Sequence, residues 1–295
     1  MPRRAKTKTA KTDFYPEVQS LLHGAFGEDL MVGRTNSKMT RVQPVFGWLQ
    51  ANCTPGWPQL LIGLAQGMEH VPRCGAVRRV KLDPEEAIPP TPARLAWMLH
   101  NAELLAPHDG REWRELRQRV SENKSVSRAL AQLDVGRSDH LPRKLVLEGK
   151  THADCLIECE EALIWIEGKR FDWLSPSIKW DVTRDQLARN LEAVWSLAIN
   201  ANKDYCLIIC HEHPLKHHEK LLVEGYRSGT WTGGWPHIPE NLRREFGKRI
   251  GTATWQAITD AWPSLRELSA LGDLESAYCS TERMTEQRHR DRRSC

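Results

Sequence analysis

Two apolar runs joined by a pair of acidic residues set the tightest limit on how this chain can fold. Residues 153–159 read ADCLIEC, residues 162–169 read ALIWIEGK, and Glu160-Glu161 lies between them. Short runs rich in Ile, Leu and Trp read as strands. A two-residue link is short enough for a hairpin, although it lacks the usual Gly or Asn. Further on, a helix is expected over about 183–199, with Leu187, Leu191, Val194, Trp195 and Ala198 on one side. Tyr205 to Cys210 is an unbroken apolar run, as expected of a strand covered on both faces. Lys144 to Leu147 reads as one more strand ahead of the hairpin. A meander, a crossover helix and a further strand make an α/β core with a mixed central sheet flanked by helices.

The rest of the chain divides around this core. Residues 1–90 form an N-terminal region, partly helical, with a helix-like stretch at PEVQSLLHGAF; the mixture of apolar runs with Gly and Pro over 41–80 does not specify a structure. The core is expected over 91–225. Thr91-Pro92 opens it, with Thr as N-cap and Pro in the first turn of a helix carrying Leu95, Trp97, Met98, Leu99 and Leu104. Helices are also expected over about 110–120, on Trp113, Leu116 and Val120, and over 125–133. Residues 226–295 read as a helical extension around Trp255, Ile258, Trp262, Leu265 and Leu268, so both termini are expected to be helical extensions. A hydrophobic fraction of 40% in 295 residues permits a sizeable core, and 12 Trp against 5 Phe and 4 Tyr means that Trp supplies most of its aromatic surface.

The net charge of +4 permits an anionic partner without demanding one. The charge is concentrated at the ends. Arg3, Arg4, Lys6, Lys8 and Lys11 precede the first acid, Asp13, and Arg288, Arg290, Arg292 and Arg293 crowd the other end. Such tails are solvated arms or nucleic-acid contacts. No apolar stretch follows the basic start, and no run approaches the ~20 apolar residues of a membrane helix. The expectation is a cytoplasmic protein without a membrane partner. Cys155/Cys159 and Cys206/Cys210 are i,i+4 pairs on expected strands, which separates their sulfurs by roughly 13 Å. They read as buried free thiols rather than a zinc site.

The hairpin also places chemistry. Asp154 and Glu167 are equidistant from the centre of the expected turn, so they should lie opposite one another on strands about 4.8 Å apart. Glu167 and Lys169, two apart on one strand, share a face, with Gly168 pointing away. Carboxylates about 4 Å apart repel by roughly 4 kcal/mol at an effective dielectric of 20. A divalent cation removes that cost. Hard oxygen ligands suit Mg²⁺ or Mn²⁺ with several waters retained. A metal-bound water becomes a better nucleophile, and Lys169 would orient or help deprotonate it. The competing reading is a solvated strand end with a surface E-x-K pattern. The preceding Leu-Ile-Trp-Ile, which looks buried, favours the functional one.

At Asp154 and Glu167-Gly168-Lys169 the chain resembles the PD-(D/E)xK nuclease superfamily, over roughly residues 110–210. Ala153 stands where the usual pattern has Pro. The resemblance implies a restriction-endonuclease-like core and a metal-dependent nuclease hydrolysing phosphodiester bonds, with DNA as the expected partner. It implies Asp154 and Glu167 as ligands of Mg²⁺ or Mn²⁺, the Gly168 carbonyl as an extra ligand and Lys169 as the catalytic lysine. Gln186, in TRDQLARN, fits the polar residue that members add from the next helix; it also completes a capping box with Thr183. Glu103, Glu112, Glu115 and Glu148 are candidates for a further upstream acid.

Two other functional readings stay open. One is a non-catalytic nucleic-acid-binding protein on the same fold. The other is a zinc-binding adaptor using His211, His213, His217 and His218, although a solvated loop explains that cluster as well. Lys169-Arg170, Lys179 and Arg184 are candidates for phosphate contacts. WTGGWP at 231–236 reads as core packing or a rigid loop ahead of a base-stacking platform. The oligomeric state, a homodimer included, is left open.

Overall fold

The computed structural model describes residues 37–82, 87–101, 104–105, 118, 129–131, 133, 148–170, 174–175, 177, 181, 183–212, 215, 217–231 and 234–268. Their centre is a five-stranded sheet: β1 (Val77–Lys81), β2 (Cys155–Cys159), β3 (Ala162–Lys169), β4 (Asp204–His211) and β5 (Ile250–Thr254), in spatial order β1-β2-β3-β4-β5. β1 and β3 run antiparallel to β2, whereas β3, β4 and β5 are mutually parallel neighbours. The chain is therefore α/β with a mixed sheet flanked by helices. Among the described residues, no helix is long and apolar enough to cross a membrane.

The hairpin register follows the symmetry of its turn. Cys155 pairs with Ile166 and Glu158 with Leu163, the register the turn predicts, and the ladder ends one residue short of Asp154. Every residue of β3 is buried, because helices cover both faces. On the first face, Ile157, Ile164, Ile166 and Ile208 pack with Phe46 and Leu49 of α1 (Gln43–Asn52) and Leu61 of α2 (Trp57–Leu64), together with Trp255 from the C-terminal part. On the second face, Trp165, Leu207 and Ile209 meet Leu187, Leu191 and Val194. Each such side chain, fully withdrawn from water, contributes about 1.5–3 kcal/mol. A smaller cluster joins Leu95, Met98 and Leu99 of α3 (Pro92–His100) to Leu105, Ala129 and Leu133. The Thr91 side chain accepts the Arg94 N–H and caps α3, as its sequence requires.

The crossover from β3 to β4 is α4 (Gln186–Ala201). Asp185, not Thr183, is its N-cap: its Oδ1 accepts the Ala188 N–H at 2.8 Å, and the opposite end stops at Asn202 in the left-handed conformation. The expected Thr183–Gln186 capping box is thereby corrected. The Thr183 hydroxyl instead donates to Asp181 at 2.6 Å, which frees the Gln186 side chain for other contacts. After β4 come α5 (His217–Arg227) and α6 (Glu240–Gly247), then β5, then α7 (Trp255–Ala261).

Two further corrections concern the outer strands. The expected helical extension over 226–295 contains β5, and the unassigned stretch over 41–80 contains most of β1. Both edges of the sheet therefore come from outside the expected core. The expected strand at Lys144–Leu147 and most of the helices over 110–120 and 125–133 lie outside the described residues. Cys155, Cys159, Cys206 and Cys210 are buried free thiols, as their spacing implied.

Candidate functional site

The site grows from the carboxyl end of β3, beside that of the parallel strand β4, where Lys169 pairs with His211. Alternation sends Glu167 and Lys169 to the second face, towards α4, and Gly168 to the first. A Cβ on Gly168 would stand 2.3 Å from Val42 Cγ2 and 3.4 Å from Trp255 Cζ2, so glycine is what lets these two side chains approach the strand.

Glu167 and Lys169 are almost fully buried, and they are joined: Nζ lies 2.8 Å from Glu167 Oε1. Gln186, first residue of α4, bridges them. Its Nε2 donates to Glu167 Oε1 at 2.7 Å, and its Oε1 accepts from Lys169 Nζ at 3.2 Å and from the Ser175 N–H at 3.1 Å. One turn later, Asn190 Nδ2 donates to Glu167 Oε2 at 2.7 Å. Asp154, just ahead of β2, reaches the same segment differently: its Oδ2 accepts the Gly168 N–H at 2.8 Å. The structure thus brings Glu167, Lys169 and Gln186 into direct contact and ties Asp154 to them through the strand backbone.

That backbone is also held from the first face. The Ser37 hydroxyl donates to the Gly168 carbonyl at 2.9 Å, and Trp255 Nε1 donates to the Lys169 carbonyl at 3.1 Å. Ser37 leads into a π-helical turn, Lys38–Val42, a rare conformation that recurs at functional sites. From this turn Arg41 donates to both oxygens of buried Glu212 at 2.8 and 2.9 Å, and Arg170 Nε lies 3.2 Å from the same carboxylate. Sequence reasoning missed Ser37, Arg41 and Asn190. Only Asn190 carried a local signal, its spacing of four from Gln186 on one helix face.

The remaining candidates lie elsewhere. Glu148 and Arg184 belong to a buried charge network: Arg184 Nε donates to Glu148 Oε2 at 2.9 Å, its second nitrogen lies 2.9 Å from Glu192, and Arg94 donates to Glu148 at 2.9 Å and to Asp181 at 2.8 Å. Arg184, 1% exposed, is a core residue rather than a surface phosphate contact. Burial opposes the charge on Glu192, yet Arg184, His237 and Thr91 outweigh it and hold this carboxyl well below its ordinary range. Trp235 is buried and donates to the Ala188 carbonyl at 2.9 Å, which makes WTGGWP chiefly a packing element. Trp231 is 45% exposed. Glu103, Glu112, Glu115, Lys179 and His213 lie outside the described residues, as do the side chains of His217 and His218.

The donors bear on what the site can hold. Burial, reinforced by the Asp154 charge, pushes the Cys155 and Cys210 thiols up, so they remain protonated and offer no soft thiolate. Among the described residues, no group of three or more His, Cys, Asp and Glu side chains is arranged to hold a metal ion. The oxygens at hand are the carboxylates of Asp154 and Glu167 and the Gly168 carbonyl. Each carboxylate oxygen has two acceptor sites, so the Asn190 hydrogen bond still leaves Glu167 Oε2 a lone pair. One or two carboxylates with water completing the shell is a donor set that fits Mg²⁺ or Mn²⁺. Compared with known proteins, the chain matches no protein-family model, no curated protein and no solved structure.

Proposed function

We propose that the chain is a cytoplasmic, metal-dependent nuclease that hydrolyses phosphodiester bonds, with DNA as substrate, on a restriction-endonuclease-like core. The observation that carries this reading is the buried Glu167–Lys169 pair at a strand end, bridged by Gln186 from the crossover helix. An antiparallel hairpin followed by a crossover helix and a parallel strand supports it, as does the Asp154 carboxylate, which accepts the N–H of Gly168 between Glu167 and Lys169.

In this reading Asp154, Glu167 and the Gly168 carbonyl would hold Mg²⁺ or Mn²⁺, which would supply an activated water and offset charge on the phosphoryl oxygens. Lys169 presents its ammonium beside Glu167, where it orients the attacking water and offsets charge in the transition state. Gln186 acts on both partners: its amide nitrogen fixes the carboxylate and its amide oxygen fixes the ammonium.

The test is incubation of wild type and Lys169→Ala with plasmid, linear DNA and RNA in Mg²⁺, Mn²⁺ or EDTA. Wild type is expected to cleave DNA only with metal. Lys169→Ala is expected to lose about 10²–10⁴-fold in rate while its melting curve stays cooperative. Cleavage in EDTA, or cleavage indifferent to the substitution, defeats the reading. Retention of nucleic acid without cleavage favours a binding protein on the same fold.

A further inference from the structure

Asn190 occupies a position where the helix alone would select something else. Asn is among the poorer residues in a helix interior, and its neighbours Leu187, Leu191 and Val194 are all apolar and fully buried. Asn190 itself is 2% exposed and spends its amide nitrogen on Glu167 Oε2 at 2.7 Å. Gln186, four residues earlier, takes Oε1. Two neutral amides one helical turn apart thus hold the two oxygens of one carboxylate. Neutral donors fix its orientation without cancelling its charge, whereas a guanidinium in their place would do both.

Resting on the nuclease reading above, we propose that Asn190 is a positioning residue that presets Glu167 as a ligand for a divalent cation. It sits behind the carboxylate and acts only through Glu167. Loss of such an outer contact lowers metal affinity by about 10–100-fold, because the carboxylate must then be ordered when the ion binds. The rate with metal saturating changes much less.

The experiment measures Mn²⁺ binding directly, from the paramagnetic resonance signal of free Mn²⁺, alongside DNA cleavage across a Mn²⁺ titration. The proteins are wild type, Asn190→Leu, which keeps the branched shape without the donor, and Asn190→Ser, which retains a shorter donor. Thermal melts are run on all three. Asn190→Leu is expected to raise the Mn²⁺ dissociation constant about 10–100-fold, with cleavage at saturating Mn²⁺ within a few-fold of wild type and Asn190→Ser in between. If Asn190→Leu does not fold, Asn190→Ser decides. Wild-type Mn²⁺ affinity in the folded variant overturns the role of Asn190 and leaves the nuclease reading intact, as does a rate that falls at saturating Mn²⁺ with the dissociation constant unchanged. A wild type that neither binds Mn²⁺ nor cleaves overturns both.

Discussion

Two buried carboxylates beside α4 are treated in opposite ways. Glu167 is met by one ammonium and two side-chain amides. Glu148 is met by guanidinium groups, with Arg94 and Arg184 each at 2.9 Å and Arg189 at 3.4 Å. Arginine's planar fork locks a carboxylate by geometry as well as charge, and it never gives up its proton. A carboxylate held so offers nothing to an incoming cation. Amides add no charge, so among the described residues Glu167 faces a single cation, the Lys169 ammonium, and keeps a lone pair on Oε2. The first arrangement suits a site and the second suits a fastener: the Arg94–Glu148–Arg184 network ties α3 and the start of α4 to the segment entering the hairpin.

The largest effect expected from this contrast is on stability. Replacing Arg184 with Met leaves Glu148 and Glu192 buried beside a neutral side chain, and breaking a buried pair in this way costs about 3–5 kcal/mol. That is a large share of the roughly 5–15 kcal/mol that holds a domain together. Urea unfolding should therefore shift far to lower denaturant for Arg184→Met, which strands two carboxylates, and less for Lys169→Ala, which strands one that keeps the Gln186 and Asn190 amides. Equal shifts would remove the distinction between fastener and site.

A smaller effect is expected at the strand end. Gly168→Ala drives a methyl group into Val42 Cγ2, on the turn that carries Ser37 and Arg41. Overpacking of this kind costs about 1–3 kcal/mol. The turn must shift for the methyl to fit, so the Ser37 bond to the Gly168 carbonyl should loosen as well. Amide exchange at the Val42 end of the turn should accelerate in the variant. Unchanged protection together with unchanged stability would mean that the turn does not bear on the site backbone.

The sequence made this strand end legible and left its surroundings dark, for physical reasons. β2, β3 and β4 are dense in Ile, Leu and Trp because both their faces are covered, and the hairpin register follows from the symmetry of a two-residue turn. β5 reads IGTAT, a stretch with a single large apolar residue; its place comes from pairing with β4, not from its own composition. β1 reads VRRVK, because an edge strand carries charge outward and hides its apolar period. Gln186 opens the helix on which it is expected, but the cap comes from Asp185 directly before it and not from Thr183. Ser37 and Arg41 meet their partners 131 and 171 residues along the chain, distances over which no local pattern survives.

The smallest effect tests whether burial, rather than ion pairing itself, makes the Arg184 network strong. At the amino end of β4, Asp204 accepts from the His70 ring at 2.7 Å and from Arg249, but with a side chain 32% exposed. Partial burial raises its carboxyl; the His70 bond, the Tyr205 N–H and Arg249 outweigh that and hold it below the ordinary range. A depressed carboxyl contributes stability in full above the unfolded value of about 3.9 and loses it as pH falls through the folded value. Asp204→Asn should therefore lower stability near neutral pH and flatten its decline below about pH 4. Screening by solvent limits the difference to below about 1 kcal/mol. A loss as large as that of Arg184→Met would show that ion pairing holds this fold together wherever it occurs, and the contrast between the two carboxylates beside α4 would then need another cause.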